Sequence, residues 1–158
     1  MFNKRQSQSG FTLIELLVVI GVIAILAAIV LVAVNPGRQF AQARDTQRRS
    51  DLYSLTNAIY QYAAEHDGNL PDTDGNDATS NFPTTSTCIG NGGGCFDLAS
   101  AGNAAGTDTV VPTYIAEIPK DPSTGTDANT QYLVYEDANG RIVASATGEL
   151  VPSLSVIR

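Results

Sequence analysis

The most unusual residue that could do chemistry in this chain is a glutamate inside an apolar stretch. From Phe11 to Val34 the sequence reads FTLIELLVVIGVIAILAAIVLVAV, in which only Thr12 and Glu15 are polar. A carboxylate that deep in an apolar membrane helix costs roughly 2.5 kcal/mol or more without a partner. We therefore expect Glu15 to pair with a positive charge. Such a pair is far stronger in a low dielectric than in water, although desolvation offsets much of the gain.

A second group of residues, Asp72, Asp74 and Asp77, could bind a metal ion. They lie in the run DTDGND, which is dense in the oxygen ligands that calcium prefers. The run departs from the calcium loop of EF-hands, because its glycine is at the fourth position instead of the sixth. The alternative interpretation is an acidic turn exposed to solvent.

The two cysteines, Cys88 and Cys95, enclose the flexible sequence IGNGGG. If this part of the chain lies outside the cytoplasm, a disulfide between them is expected. A zinc site is disfavoured, because His66 is the only histidine and there is no second pair of cysteines. The bridge would stabilise the fold by about 2 kcal/mol, mostly through the unfolded state.

No set of residues has the pattern of a catalytic site. His66 has no paired nucleophile, and the sequence offers no conspicuous pair of acids. The glycines at 90 and 92–94 do not form a phosphate-binding loop, because they are not followed by Lys-Ser or Lys-Thr. We therefore expect no enzymatic activity and no cofactor other than calcium.

The formal net charge of −7 is spread unevenly along the 158 residues. Residues 52–158 contain 13 acids and 3 bases, which argues against direct binding to nucleic acid, since phosphates need cations. The segment before them is basic, with Arg38, Arg44, Arg48 and Arg49. Two interpretations stay open for this segment: it contacts lipid headgroups or acidic surfaces of neighbouring subunits, or it is a solvated helix face.

The elements that must position these residues begin with the apolar stretch. Leu16 to Val34 supplies 19 residues, and a helix needs about 20 to cross about 30 Å of hydrocarbon. A membrane-spanning helix is therefore predicted over 11–34. An ordinary membrane anchor or a secretory signal peptide has a similar composition. A signal peptide, however, is cut after its apolar region, and an anchor has no use for a buried charge.

The rest of the chain is predicted to form an amphipathic helix and a head. The sequence NPG at 35–37 interrupts the first helix, and helical periodicity resumes over 35–66. Leu52, Leu55, Ile59 and Tyr62 share one apolar face of this second helix. The sequence DGN at 67–69 is typical of a helix end.

Residues 67–158 are predicted to form a loop-rich head with an antiparallel sheet. The part up to Thr109 is rich in Gly, Asn, Asp, Ser and Thr, which favours irregular structure with short helices near 96–101 and 109–117. Strands at 131–136 and 141–146 flank the turn DANG, and a third at 149–157 contains a proline and lies at an edge. A helix followed by a sheet predicts an α+β fold.

The junction at residues 10–15, GFTLIE, follows a short basic leader and resembles the class III leader of type IV pilins and pseudopilins. The resemblance implies a type IV pilin-like fold, a long kinked N-terminal helix with a small sheet in the head. Residues 1–10 would be a leader that prepilin peptidase removes by cutting after Gly10, and the new amino terminus at Phe11 would be N-methylated. Glu15 of one subunit would then pair with the α-amine of Phe11 on its neighbour and set the register between them.

The resemblance also implies where the protein is located and what it meets. It would be a single-pass precursor in the cytoplasmic membrane with its head outside the cytoplasm. From there it would join a helical filament of identical subunits, either a cell-surface pilus or a periplasmic pseudopilus. The implied partners are the prepilin peptidase, an inner-membrane assembly platform and an assembly ATPase.

A second resemblance covers YIAEIPKDP at 114–122, which is similar to a region of the major pseudopilins of type II secretion. Those proteins carry a structural calcium in a C-terminal loop, so Asp121 and Asp127 become further candidate ligands. Three roles stay open. The chain is a type IV pilus subunit used in motility, adhesion or DNA uptake, a pseudopilin of a type II secretion or competence system, or a minor tip adhesin. The first is favoured by the cysteine loop and the long segment that would face outward.

Overall fold

A computed structural model describes residues 10–76 and 79–158 of the chain. The proposed leader residues 1–9 and the candidate ligand Asp77 lie outside the described residues. The chain divides into two units, the first ending at Gln39 and the second spanning Phe40–Arg158. A long apolar helix comes first and a small antiparallel sheet comes last, so the α+β class is confirmed.

Helix α1 runs from Leu13 to Val34. It begins two residues later than predicted, because Thr12 has an extended backbone and caps the helix with its side chain. It ends at Asn35, which adopts a left-handed conformation with φ of 47°. The Asn35 carbonyl then accepts a hydrogen bond from the amide of Arg38 at 3.0 Å, so the same residue closes one helix and opens the next.

Helix α2 runs from Pro36 to Glu65. Its first residue is a proline, which suits a position whose amide has no partner within a helix. The predicted apolar face is confirmed, since Leu52, Leu55, Ile59 and Tyr62 are all buried. The helix ends where the glycine signal predicted: the Gly68 amide donates to the Ala63 carbonyl at 2.8 Å, the bond expected of a Schellman motif.

The sheet has four antiparallel strands in the order β1-β2-β3-β4. They are β1 (Thr87–Cys88), β2 (Tyr132–Glu136), β3 (Ile142–Ala146) and β4 (Leu154–Ile157). The three later strands match the predicted ones, and β4 lies at an edge as expected. Strand β1 was not predicted, because it has only two residues and depends on pairing with β2. Gly140 closes the predicted β2–β3 turn with φ of 74°.

Among its described residues, the loop region between α2 and β2 contains one short helix, α3 (Val110–Thr113), inside the predicted 109–117 segment. The other predicted short helix, at 96–101, is a turn closed by the Ala101 amide on the Asp97 carbonyl at 3.0 Å. The backbones of Asp72 and Gly102 pair across this region. Residue 102 must be a glycine, since a Cβ there would collide with the carbonyl of Asp108.

The core of the second unit forms where α2 and the sheet bring their apolar faces into one cluster. Tyr132 and Val134 of β2 are completely buried in it, as are Leu52 and Leu55 of α2. Long loops are held to the same cluster by aromatic anchors, since Phe82 and Phe96 pack edge to face with ring centroids 5.3 Å apart. The core therefore places the loop region and the sheet on one fixed face of α2.

Candidate processing and assembly site

The predicted cleavage position, between Gly10 and Phe11, is open to solvent. Both residues are exposed, and 84% of Phe11 is accessible. A Cβ built on Gly10 would meet nothing within 4 Å among the described residues. Among the described residues, nothing in the fold requires glycine at this position.

Glu15 is held at the start of α1 by Thr12 of the same chain. The Glu15 amide donates to Thr12 Oγ1 at 3.3 Å, while the Thr12 amide donates to Glu15 Oε2 at 2.8 Å. Thr12 Oγ1 also lies 2.7 Å from Glu15 Oε2. This reciprocal arrangement is a capping box, and the pattern Thr-x-x-Glu before an apolar run is its sequence signal.

The capping box differs from the expectation for Glu15, whose partner was predicted only on a neighbouring subunit. Both Thr12 donors contact Oε2, and no hydrogen bond to Oε1 is present within the described residues. Glu15 therefore has a local partner in the single chain and one carboxylate oxygen available to a further donor. The cap fixes the backbone around the charge.

The remainder of α1 is an apolar surface. Each of its 22 residues is exposed, including the large side chains from Leu13 to Val34. At 1.5 Å per residue the helix is about 33 Å long, which matches the hydrocarbon thickness of a bilayer. It is the one helix among the described residues that is long and apolar enough to cross a membrane. Such a surface needs either lipid or neighbouring helices around it.

The two cysteines of the head are joined in the expected disulfide. The bridge closes a loop whose ends also meet through the backbone, since the Phe96 amide donates to the Cys88 carbonyl at 2.7 Å. Gly90 lies inside this loop with φ of 155°, and a Cβ there would collide with the carbonyl of Ala128. The bridge and the glycine together hold the loop against the segment before β2.

The second unit contains a buried ion-pair network that the sequence reasoning did not predict. Arg48 of α2 is only 3% exposed, and its Nε donates to Asp121 Oδ2 at 2.6 Å. Its Nη1 donates to Asp45 Oδ1 at 2.8 Å and to Glu149 Oε1 at 3.2 Å. The hydrogen bonds that the guanidinium donates to Asp121 outweigh burial and raise the pKa of Arg48 above its usual value, so it stays charged.

Asp45 ties the segment after β3 to α2. Its carboxylate accepts hydrogen bonds from the amides of Glu149 and Leu150, both at 2.8 Å, and from the amide of Val151 at 3.3 Å. Burial alone would raise the pKa of Asp45, but these amides and Arg48 outweigh it and lower the pKa to about 2.

Arg44 completes the network at its exposed rim. Its Nε and Nη2 each lie 2.6 Å from a different oxygen of Glu149, a bidentate pair. This pairing, ahead of that with Arg48, lowers the pKa of Glu149 to about 2. The expectation for the basic segment is therefore corrected at two positions, because Arg44 and Arg48 pair with acids of the second unit. Arg38 and Arg49 are exposed, and both interpretations stay open for them.

The candidate calcium ligands are occupied by hydrogen-bond donors. Asp121 pairs with Arg48 and accepts from the Ser123 amide at 2.8 Å, and Asp127 pairs with Lys120 at 2.6 Å. Asp72 accepts from the amide of Gly75 at 3.2 Å, and Asp74 accepts from that of Asn76 at 2.9 Å. Among the described residues no group of three or more His, Cys, Asp or Glu is arranged to hold a metal ion. Asp121 is an ion-pair partner in this structure, and calcium binding stays a prediction.

Comparison with known proteins finds a family motif at the candidate processing site. Residues 5–31 match the model of the prokaryotic N-terminal methylation motif, a range that contains Gly10, Phe11, the capping box and most of α1. No curated protein and no solved structure matches the chain. The structure contributes an exposed junction, a capped glutamate and an apolar helix at that motif. The motif match supports a class III prepilin leader of the kind that type IV pilins and pseudopilins carry.

Proposed function

We propose that this protein is a structural subunit of a type IV pilus. It is made as a membrane precursor, cut after Gly10, N-methylated at Phe11 and assembled into a helical filament through α1. The methylation motif at residues 5–31, lying on an exposed junction, is the observation that supports this most directly. The expected role is structural, not enzymatic.

Assembly would exchange one apolar environment for another. In the bilayer α1 contacts lipid, and in the filament it would contact the α1 helices of neighbours. The net burial energy of this exchange is small, because lipid tails are as apolar as the side chains that replace them. An assembly ATPase and an inner-membrane platform would therefore supply the work and the direction.

Glu15 would act as the register device of the filament. Cleavage after Gly10 creates a positive α-amine on Phe11, and this amine would approach the free Oε1 of Glu15 on a neighbour. Because the capping box already orders the glutamate, little conformational entropy remains to be lost when the pair forms. The pair would select one position of a subunit relative to its neighbour, whereas contacts between apolar helix surfaces alone would allow many.

The second candidate function is that of a pseudopilin in a type II secretion or competence system. The segment YIAEIPKDP at 114–122 favours it, because of its similarity to major pseudopilins. The disulfide-closed loop at 88–95 and the long loop region before it favour the surface pilus. Both roles use the same leader, the same cut and the same apolar helix.

Mass spectrometry of filaments sheared from the native cells tests the proposal. Abundant chain beginning at methylated Phe11 would support a major pilus subunit. The processed form found only in membranes would favour the pseudopilin, and a rare processed form in filaments would favour a minor subunit such as a tip adhesin. Recovery of chain that retains residues 1–10 in filaments would refute the proposal.

Gly10→Ala provides the matched control for this experiment. The structure has space for the added methyl group, so the head and α1 should fold unchanged. We expect the variant to accumulate uncut in the membrane and to be absent from filaments. A normally processed Gly10→Ala chain would show that the junction is not read in the proposed way.

A further inference from the structure

Two of the six lysine and arginine side chains in the second unit have no carboxylate partner among the described residues. Arg49 is exposed, and its guanidinium makes no ion pair or hydrogen bond with the part of the chain that the structure describes. Arg158 is also exposed, and its Nη1 donates to the neutral side chain of Asn57 at 2.7 Å. The other four cations pair with acids of the same unit: Arg44, Arg48, Lys120 and Arg141. This unit contains 15 acidic residues, so two cations without an acid are an exception.

The two guanidinium groups belong to one surface around Tyr53. The Cζ atom of Arg158 lies 5.9 Å from the centre of the Tyr53 ring, within reach of a cation–π interaction. Arg49 precedes Tyr53 by four positions on α2, so their side chains are neighbours on the helix surface. Tyr53 is 50% exposed. Arg49, Tyr53 and Arg158 therefore form a cationic patch that presents two guanidinium groups and an aromatic ring to the outside of the chain.

The C-terminal end of α2 carries the opposite charge. Glu65 and Asp67 are exposed there, and together with Asp72 they line a cleft of about 340 Å³. No lysine or arginine is among the described residues that line this cleft. None of the three carboxylates forms an ion pair with a lysine or arginine of the described residues. These three residues are the acidic end of α2, and they lack cations as the cationic patch lacks anions.

The two surfaces cannot neutralise each other within one chain. Arg49 and Glu65 are 16 positions apart on the same helix. A rise of 1.5 Å per residue separates them by about 24 Å, which is more than two side chains can bridge. Any contact between the cationic patch and the acidic end must therefore join two copies of the chain.

The separation of the two surfaces also decides what kind of assembly they favour. A two-fold dimer through the cationic patch would bring guanidinium groups against guanidinium groups, which is unfavourable. A contact between the cationic patch of one copy and the acidic end of the next is heterologous. Such a contact leaves one free surface of each kind at the two ends, so it can repeat in one direction and build an open filament.

We propose that the cationic patch of one copy binds the acidic end of α2 on a second copy. This inference rests on the proposed function, because the filament is what brings the second copy into place. Arg49 and Arg158 supply planar guanidinium groups, which can donate two hydrogen bonds at once to a carboxylate. The contact adds a charge-specific interaction between heads to the apolar packing of α1.

Anionic lipid headgroups are the other partner that such a patch would attract, and two observations favour the second copy. Basic segments that bind anionic lipid carry clusters of about four to eight lysines and arginines, whereas the cationic patch has two arginines. The second unit as a whole has 15 acids and 6 bases, so a surface of anionic lipid would repel it.

Photo-crosslinking in the native cells tests the contact directly. Tyr53 of the full chain is replaced by benzoylphenylalanine, filaments are sheared off after illumination, and the crosslinked peptides are identified by mass spectrometry. We expect crosslinks from position 53 to residues 65–72. Position 53 lies about 18 Å from position 65 along α2, so these crosslinks must join two copies.

Each other result of the crosslinking is informative. Crosslinks only to lipid, or only to other segments of a second copy, would overturn the contact and leave the pilus proposal intact. Absence of filaments of the parent chain would refute the proposed function and this contact with it.

Exchange of charges provides a second, independent test. Arg49→Glu and Glu65→Arg should each reduce the processed chain in the sheared fraction by about fivefold, because each places like charges across the contact. The double variant restores one pair of opposite charges, so its yield should return to within about twofold of the parent chain. In the membrane fraction, cleavage after Gly10 and unreactive cysteines at 88 and 95 show that each variant is processed and folded.

Lys120→Glu is the matched control for Arg49→Glu. It makes the same change of charge at an exposed residue of the second unit outside the cationic patch, so we expect filaments in the parent amount. An equal loss of filaments in Lys120→Glu and Arg49→Glu would overturn the proposal. A double variant that yields no more filament than Arg49→Glu alone would overturn it as well.

Discussion

Arg48 and Asp121 form a buried ion pair with Nε 2.6 Å from Oδ2, although they are 73 positions apart in the chain. Arg48 comes from the middle of α2 and Asp121 from the segment before β2. The pair is the centre of a network that also includes Asp45, Arg44 and Glu149. It joins α2 to two separate segments of the head.

Replacing Arg48 by methionine should destabilise the second unit strongly. The change keeps an unbranched apolar chain but leaves Asp45 and Asp121 buried without their cation, which typically costs about 3–5 kcal/mol. The free energy of unfolding, measured in denaturant by circular dichroism on the full chain in micelles, should fall by that amount. Arg49→Met is the control, because Arg49 is exposed on the same helix and should change the stability by less than about 0.5 kcal/mol. Equal stabilities for the two variants would disprove the central role of Arg48.

The stability of the head should fall on acidification because of Asp45. Its folded pKa of about 2 lies below the value of about 3.9 for an unfolded aspartate, so the stabilisation is present above about pH 4 and is lost as the pH approaches 2. The contribution is on the order of 2 kcal/mol. In thermal unfolding, Asp45→Asn should be less stable than the parent chain at pH 6, and the two should converge toward pH 2. If the stabilities of the two chains differ by the same amount at every pH across this range, Asp45 is not the source of the pH dependence.

Changes at Glu15 and Thr12 should separate the capping role of the glutamate from its role in assembly. Glu15→Gln keeps a side chain that can complete a capping box but removes the negative charge. We expect normal cleavage after Gly10 and a loss of filaments, measured as processed chain in the sheared fraction relative to the membrane fraction. Thr12→Ala weakens the cap by about 1 kcal/mol and keeps the charge, so filaments should still form. Normal filaments from Glu15→Gln would remove the pairing role.

The disulfide should contribute measurably to the loop that it closes. Replacing Cys88 and Cys95 by serine should lower the free energy of unfolding by about 2 kcal/mol. In the unmodified protein both thiols should react with an alkylating reagent only after reduction. Two reactive thiols in the native, unreduced protein would show that the bridge does not form where the chain resides.

Much of the fold was predictable because its signals are local. The apolar face of α2, the glycine at its end and the DANG turn before β3 each depend on residues that are close together in the chain, and the structure confirms all three. Strand β1 was not predicted, since its two residues carry no strand pattern and are ordered by β2. The short helix expected at 96–101 is only a turn, because its backbone is used to pair with neighbouring loops.

The candidate site also has some features that were predictable from the sequence and others that were not. The leader junction, Phe11 and Glu15 are recognisable in the sequence because the motif is contiguous and its chemistry lies on one exposed helix end. The capping box was equally local, and its Thr-x-x-Glu signal could have been read from the sequence. The positions of Asp121 and Asp127 suggested metal binding, but the cations that pair with them in the structure are Arg48 and Lys120.

The sequence by itself determined the leader motif, the apolar helix and the α+β class, because these follow from residue type and local patterns. It predicted the pairing of the cysteines only for a head outside the cytoplasm, and the structure contains that pair. Only the tertiary structure decided which charges meet. Glu149 reaches Arg44 over 105 positions, and the turn that carries Asp108 folds back onto His66. The sequence around a carboxylate does not show which cation will pair with it. The pairing depends on which backbone segments the packed core brings close together.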